Sequence, residues 1–136
     1  MNKKEGVILL AHGSQSPRAE EGLQEIASQV KERLGGTRVI LAFFQFNHPN
    51  LLEAMAGAVA EGMKKIVVVP FFLAPGVHVR KDIPAELDHA RVKYPGVEIL
   101  LSRPLLPDPR IAEILLDRIW ESLIAESLQL PEKQHL

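Results

Sequence analysis

Ile66-Val67-Val68-Val69-Pro70-Phe71-Phe72-Leu73 is the stretch on which the fold turns. Ile66 to Val69 are β-branched and wholly apolar, without the alternation of a half-exposed strand, so they predict a strand buried on both faces. Pro70 cannot donate a ladder hydrogen bond, so the ladder is expected to end there, with Phe71 to Gly76 opening a loop. Outward from this stretch the same kind of short apolar run recurs. Val7-Ile8-Leu9-Leu10-Ala11 stops at the polar His12-Gly13-Ser14, Val39 to Phe44 forms another run, and Val97 to Leu101 the last.

A helical pattern follows each run. Ser16-Pro17 supplies a cap with proline at the first helical position, and Leu23, Ile26, Ala27, Val30 and Leu34 follow before Gly35-Gly36. Pro49 opens a second helix with Leu52, Met55, Val59 and Met63 on one face. Asp82 is expected to cap a third, running to about Tyr94 and stopped by Pro95-Gly96. Asp108-Pro109 opens a fourth that carries Ile111, Ile114, Leu115, Ile119 and Leu123.

Four βα units with wholly apolar strands predict an α/β fold, a parallel sheet with helices on both faces. Right-handed crossovers favour the strand order 2-1-3-4, a flavodoxin-like three-layer sandwich in which strands 1 and 3 are neighbours at the switch point. Residues 1–128 are expected to form one domain and 129–136 a polar tail.

Composition narrows the chemistry. The chain has 136 residues, 46% hydrophobic and 24% charged, an ordinary globular balance with room for one core. Its formal net charge of −1 argues against broad electrostatic binding to nucleic acid. With no cysteine, disulfides, thiolate metal sites and cysteine nucleophiles are excluded. No signal-like segment is visible and no apolar run approaches the ~20 residues of a membrane span, so a cytoplasmic protein without membrane contact is expected.

In an open α/β sheet, ligands bind beyond the carboxyl ends of the strands. His12 directly follows strand 1, and His78 lies after strand 3, in what the sequence predicts to be a loop. If those strands are adjacent, both imidazoles face one crevice. Neutral imidazole suits Co²⁺, Ni²⁺, Fe²⁺ and Zn²⁺, and two histidines leave open positions for a metal that is delivered rather than stored. The plainer alternative is that His12 satisfies a loop carbonyl. His48, before Pro49, is balanced between a site role and a role at the start of helix 2, and His89 and His135 read as surface residues. Arg18, Arg80, Lys81 and Arg103 fall on the same edge, where a cluster would suit a polycarboxylate or phosphate, although any one of them alone reads as a solvated charge. Some of Phe43, Phe44, Phe46, Phe71 and Phe72 are core; others can wall a flat ligand.

Taken together, Ala11-His12-Gly13-Ser14, Ala42-Phe43-Phe44-Gln45 before Pro49, Val69-Pro70-Phe71-Phe72-Leu73, and Gly76-Val77-His78-Val79-Arg80-Lys81-Asp82-Ile83-Pro84 carry a family likeness. In that order and spacing they resemble the small, single-domain sirohydrochlorin cobaltochelatases, relatives of sirohydrochlorin ferrochelatase, over about residues 6 to 120. The resemblance implies a chelatase-like fold, a homodimer, and insertion of a divalent metal, Co²⁺ first, into the octacarboxylate tetrapyrrole sirohydrochlorin on the way to cobalamin. The metal is a substrate, and no organic cofactor is implied. The family's two metal-site histidines match His12 and His78, with Ser14, Arg18, Gln45, His48, Arg80 and Lys81 lining the substrate.

One departure stands out. The family commonly has glutamate where this chain has Gln45, and an amide neither accepts a proton at neutral pH nor neutralises a divalent cation. Either the two histidines then do all the base work, or nearby His48 substitutes in part. Ni²⁺ or Fe²⁺ in place of Co²⁺, and a non-catalytic metal or tetrapyrrole carrier, are the alternatives. A phosphoryl-transfer enzyme with His12 as nucleophile is disfavoured, because Ala11 stands where an arginine cradle would be needed.

Overall fold

β1 (Glu5–Ala11), β2 (Arg38–Phe43), β3 (Lys65–Phe71) and β4 (Glu98–Leu101) form one sheet in the order β2-β1-β3-β4, and every pairing is parallel. The chain is described by a computed structural model over residues 1–128. Four helices alternate with the strands: α1 (Pro17–Arg33), α2 (Leu51–Ala60), α3 (Val77–Lys93) and α4 (Pro109–Ser127). The strand order is the one expected from right-handed crossovers. The expected tail, and with it His135, lies outside the described residues.

The chain divides into two compact units, Met1–Leu105 and Leu106 onward. In the first, successive β1 side chains point to opposite faces, and each face has its own apolar cluster. Ile8 and Leu10 pack with Leu51, Ala54, Met55 and Ala58 of α2 and with Val79, Ile83, Leu87 and Ala90 of α3. Val7, Leu9 and Ala11 pack with Ala27 of α1, flanked by the partly buried Leu23, Val30 and Leu34. Helices therefore cover both faces of β1, α1 on one side and α2 with α3 on the other. In the second unit, Asp108 caps α4 by accepting from the Arg110 backbone N–H at 2.9 Å. No α4 residue is buried, and Ile114, Leu115, Ile119, Trp120, Leu123 and Ile124 are exposed.

Three local expectations need correction. Pro70 does not end β3; the strand continues to Phe71, with Pro70 opposite Leu10 of β1. The reason is the direction in which the missing N–H would point. The Val68 carbonyl accepts from Ser102 on the β4 side, and Pro70, two residues on, faces the same side where β4 has already ended. Second, α3 begins at Val77 with Gly76 as its N-cap, so His78 is helical and not in a loop, and Asp82 is not the cap. Its buried stripe of Val79, Ile83, Leu87 and Ala90 starts before Asp82, and packing of that stripe favours a helix already formed there. Third, α2 starts at Leu51 and not at Pro49. The Asn50 side chain accepts from the Glu53 N–H at 2.8 Å while Glu53 accepts from the Asn50 N–H at 2.9 Å, a reciprocal cap.

Candidate functional site

Backbone hydrogen bonds carry the β1–β2 pairing past the ends of both strands. Phe44 N–H donates to the Ala11 carbonyl at 2.8 Å and Gln45 N–H to the His12 carbonyl at 3.0 Å. The chain then turns sharply. Asn47 N–H donates to the Gln45 carbonyl at 2.8 Å across Phe46, whose φ is +69°, which makes Phe46 the apex of a three-residue γ-turn of the strained, positive-φ kind. Asn47 reaches back from this turn, its Oδ1 accepting from the Ser14 N–H at 2.8 Å. The Ser14 hydroxyl in turn accepts from the Ser16 N–H at 3.0 Å, just ahead of α1. Gly13 packs against the Gln45 backbone with φ +104°, a conformation that glycine adopts without cost.

This frame presents His12. Its ring is exposed, stacked on Phe44 at 6.1 Å between centroids and met edge-on by Phe72 at 6.0 Å. Gln45 Nε2 lies 2.7 Å from His12 Nε2. In this amide orientation the Gln45 N–H donates, so His12 Nε2 carries the lone pair and Nδ1 the proton. That lone pair is taken up by the Gln45 amide, so Nε2 can receive a borderline divalent metal, or a proton, once the amide turns away from it.

The remaining predicted residues fall as follows. His78 is exposed in the first turn of α3, which follows β3; since Ala11 and Phe71 are register partners, His12 and His78 leave the same end of two adjacent strands. Arg80 and Lys81 are exposed on the next turn of α3, and Arg18 lies in the first turn of α1. His48 turns to helix α2: its Nδ1 sits 2.7 Å from Glu53 Oε1. The Asn50 and His48 hydrogen bonds hold the Glu53 carboxyl below its ordinary range. Among the described residues, no group of three or more His, Asp or Glu side chains forms a metal cage. Sequence reasoning passed over Asn47, whose side chain fastens the two loops together. Its one signal was an asparagine in the turn before His48-Pro49.

Comparison with known proteins decides the family. The CbiX family model matches residues 6–122. The chain belongs to the CbiX family. A sirohydrochlorin cobaltochelatase of Methanopyrus kandleri is 38% identical over 138 residues, spanning 86% of this chain and 96% of that one. Another, of Saccharolobus solfataricus, is 37% identical over 123 residues, spanning 86% and 94%. A crystal structure of a CbiX protein from Marinobacter aquaeolei VT8, described under cobalamin (vitamin B12) biosynthesis, superposes on this CbiX chain with a TM-score of 0.74 at 33% identity, over 88% of this chain and 97% of that one. The sirohydrochlorin chelatase SirB of Bacillus subtilis subspecies spizizenii, solved with cobalt, shares the fold with a TM-score of 0.79 at 23% identity. This CbiX chain aligns with 50% of the SirB chain.

Proposed function

We propose that this CbiX chain is a sirohydrochlorin cobaltochelatase, inserting Co²⁺ into sirohydrochlorin for cobalamin synthesis. The observation that carries the reading is His12, exposed at the end of β1 with its Nε2 lone pair turned toward Gln45 and its ring between Phe44 and Phe72. Relatives named for this reaction, alike over most of their length, support it.

Insertion requires stripping water from the metal, bending the macrocycle and removing two pyrrole N–H protons. His12 and His78 hold the incoming metal on one face of the ring and accept those protons as the metal–nitrogen bonds form. Arg18, on the first turn of α1, and Arg80 and Lys81, on the second turn of α3, hold the peripheral carboxylates, with Ser14, Gln45 and His48 along the rim. The reading includes a homodimer, because two copies enclose a flat macrocycle better than one small domain does. No helix among the described residues is long and apolar enough to cross a membrane, and the reading places the protein in the cytoplasm.

Ni²⁺ and Fe²⁺ are chemically open to the same imidazoles, and in-vitro affinity order does not pick the cellular metal. Gln45 favours a second reading, a metal or tetrapyrrole carrier, because the amide brings no charge to the site. The test is an absorbance assay with sirohydrochlorin and Co²⁺, Ni²⁺ or Fe²⁺ in turn. Metal-dependent conversion above the spontaneous rate, lost in His12→Ala and His78→Ala, is the expected result. Binding without insertion would make the protein a carrier.

A further inference from the structure

Phe46 is held in a conformation that its own side chain does not favour. A bulky residue at φ +69° is strained, and Phe46 is 63% exposed at the apex of the turn. Both costs would be smaller with asparagine or glycine at this position, and the turn itself needs no aromatic group. Its neighbours have local duties: Gln45 meets His12, and Asn47 holds the Ser14 N–H. Among the described residues Phe46 makes no side-chain hydrogen bond or ring contact, yet it is carried on the same turn, one residue from the amide that touches His12.

We infer that Phe46 is a substrate-binding residue whose ring lies against the apolar face of the tetrapyrrole macrocycle while the metal is presented from His12. The inference rests on the chelatase reading and adds to it a contact for the face of the ring. The cations on α1 and α3 are suited to the peripheral carboxylates; they offer nothing to the apolar macrocycle itself. An aromatic ring does, through offset or edge contact with a flat π-system. Phe44 and Phe72 already flank the imidazole. Phe46, two residues after Phe44 and exposed to solvent, adds an aromatic group at this turn.

The test uses the full chain and metal-free sirohydrochlorin, titrated by its own absorbance and fluorescence, with Phe46→Asn and Phe46→Tyr. Phe46→Asn is expected to melt no lower than the parent, since it relieves the turn, while its Kd and KM for sirohydrochlorin rise about tenfold. Its kcat at saturation and its affinity for Co²⁺ alone should stay within about twofold of the parent. Phe46→Tyr should bind like the parent. An unchanged Kd in Phe46→Asn overturns the inference. So does a weakened Kd that appears only together with a drop in molar mass by light scattering, which would assign Phe46 to a contact between copies. A parent protein that binds no sirohydrochlorin overturns the chelatase reading as well, and that failure is read from the parent alone.

Discussion

A methyl group on Gly13 would lie 1.8 Å from the carbonyl oxygen of Gln45 and 2.8 Å from its carbonyl carbon. Both contacts are to backbone, so no rotamer change relieves them, and φ of +104° adds strain for any other residue. Gly13→Ala should therefore push the β2 loop off the β1 loop. We expect a loss of at least ~2 kcal/mol in stability by urea denaturation, together with loss of metal insertion. A variant that keeps full stability would mean the two loops separate freely.

Gln45→Glu tests what the amide does at His12. A carboxylate in the same place offers negative charge to a divalent cation and accepts from His12 where the amide now donates. Calorimetric titration with Co²⁺ should show binding tightened by about tenfold. Weaker binding would show that the amide, and not a carboxylate, suits the metal in this chain.

Glu53 sets one pH dependence. Its folded pKa is lowered, first by the Asn50 backbone bond and then by His48, so its stabilisation is present above the ordinary carboxylate range and lost as pH falls through the lowered value. Glu53→Gln keeps a capping side chain but no charge. Melting curves should show the variant below the parent at neutral pH, with the gap closing in acid. A gap independent of pH would assign the loss to geometry alone.

Glu86 has the opposite sign. Partial burial raises its folded pKa first, and Asp82, one turn earlier on α3, raises it further. Its proton is favoured by folding, so stability is greatest in acid and falls as pH rises through the raised value. Glu86→Gln should melt higher than the parent at neutral pH and match it in acid. Equal melting at neutral pH would mean that solvent screens the carboxylate fully.

Much of this architecture was legible because apolar runs and helical spacing act over short stretches. The four strands, the β2-β1-β3-β4 order and the α4 cap at Asp108 all follow from local pattern plus one handedness rule. Pro70 was misread because the cost of a missing N–H depends on which neighbour strand faces it, which β4's length decides from far along the chain. The start of α3 was misread because a visible cap signal at Asp82 competes with a buried stripe that begins at Val79. At the candidate site, His12 was visible as the residue after β1 and His78 as one following β3, though not as helical. The link from Asn47 to Ser14 spans 33 positions, so an asparagine in a turn before His48-Pro49 was its one local trace, and the positive φ of Phe46 left none in an aromatic residue.

β1 pairs on both edges and fills a separate apolar cluster on each face, leaving its backbone no direction in which to yield. Its amides should be among the last to exchange with deuterium, and His12 is attached at its very end. In the chelatase reading a support so fixed would leave the bending to the tetrapyrrole and serve as an anvil for the ring.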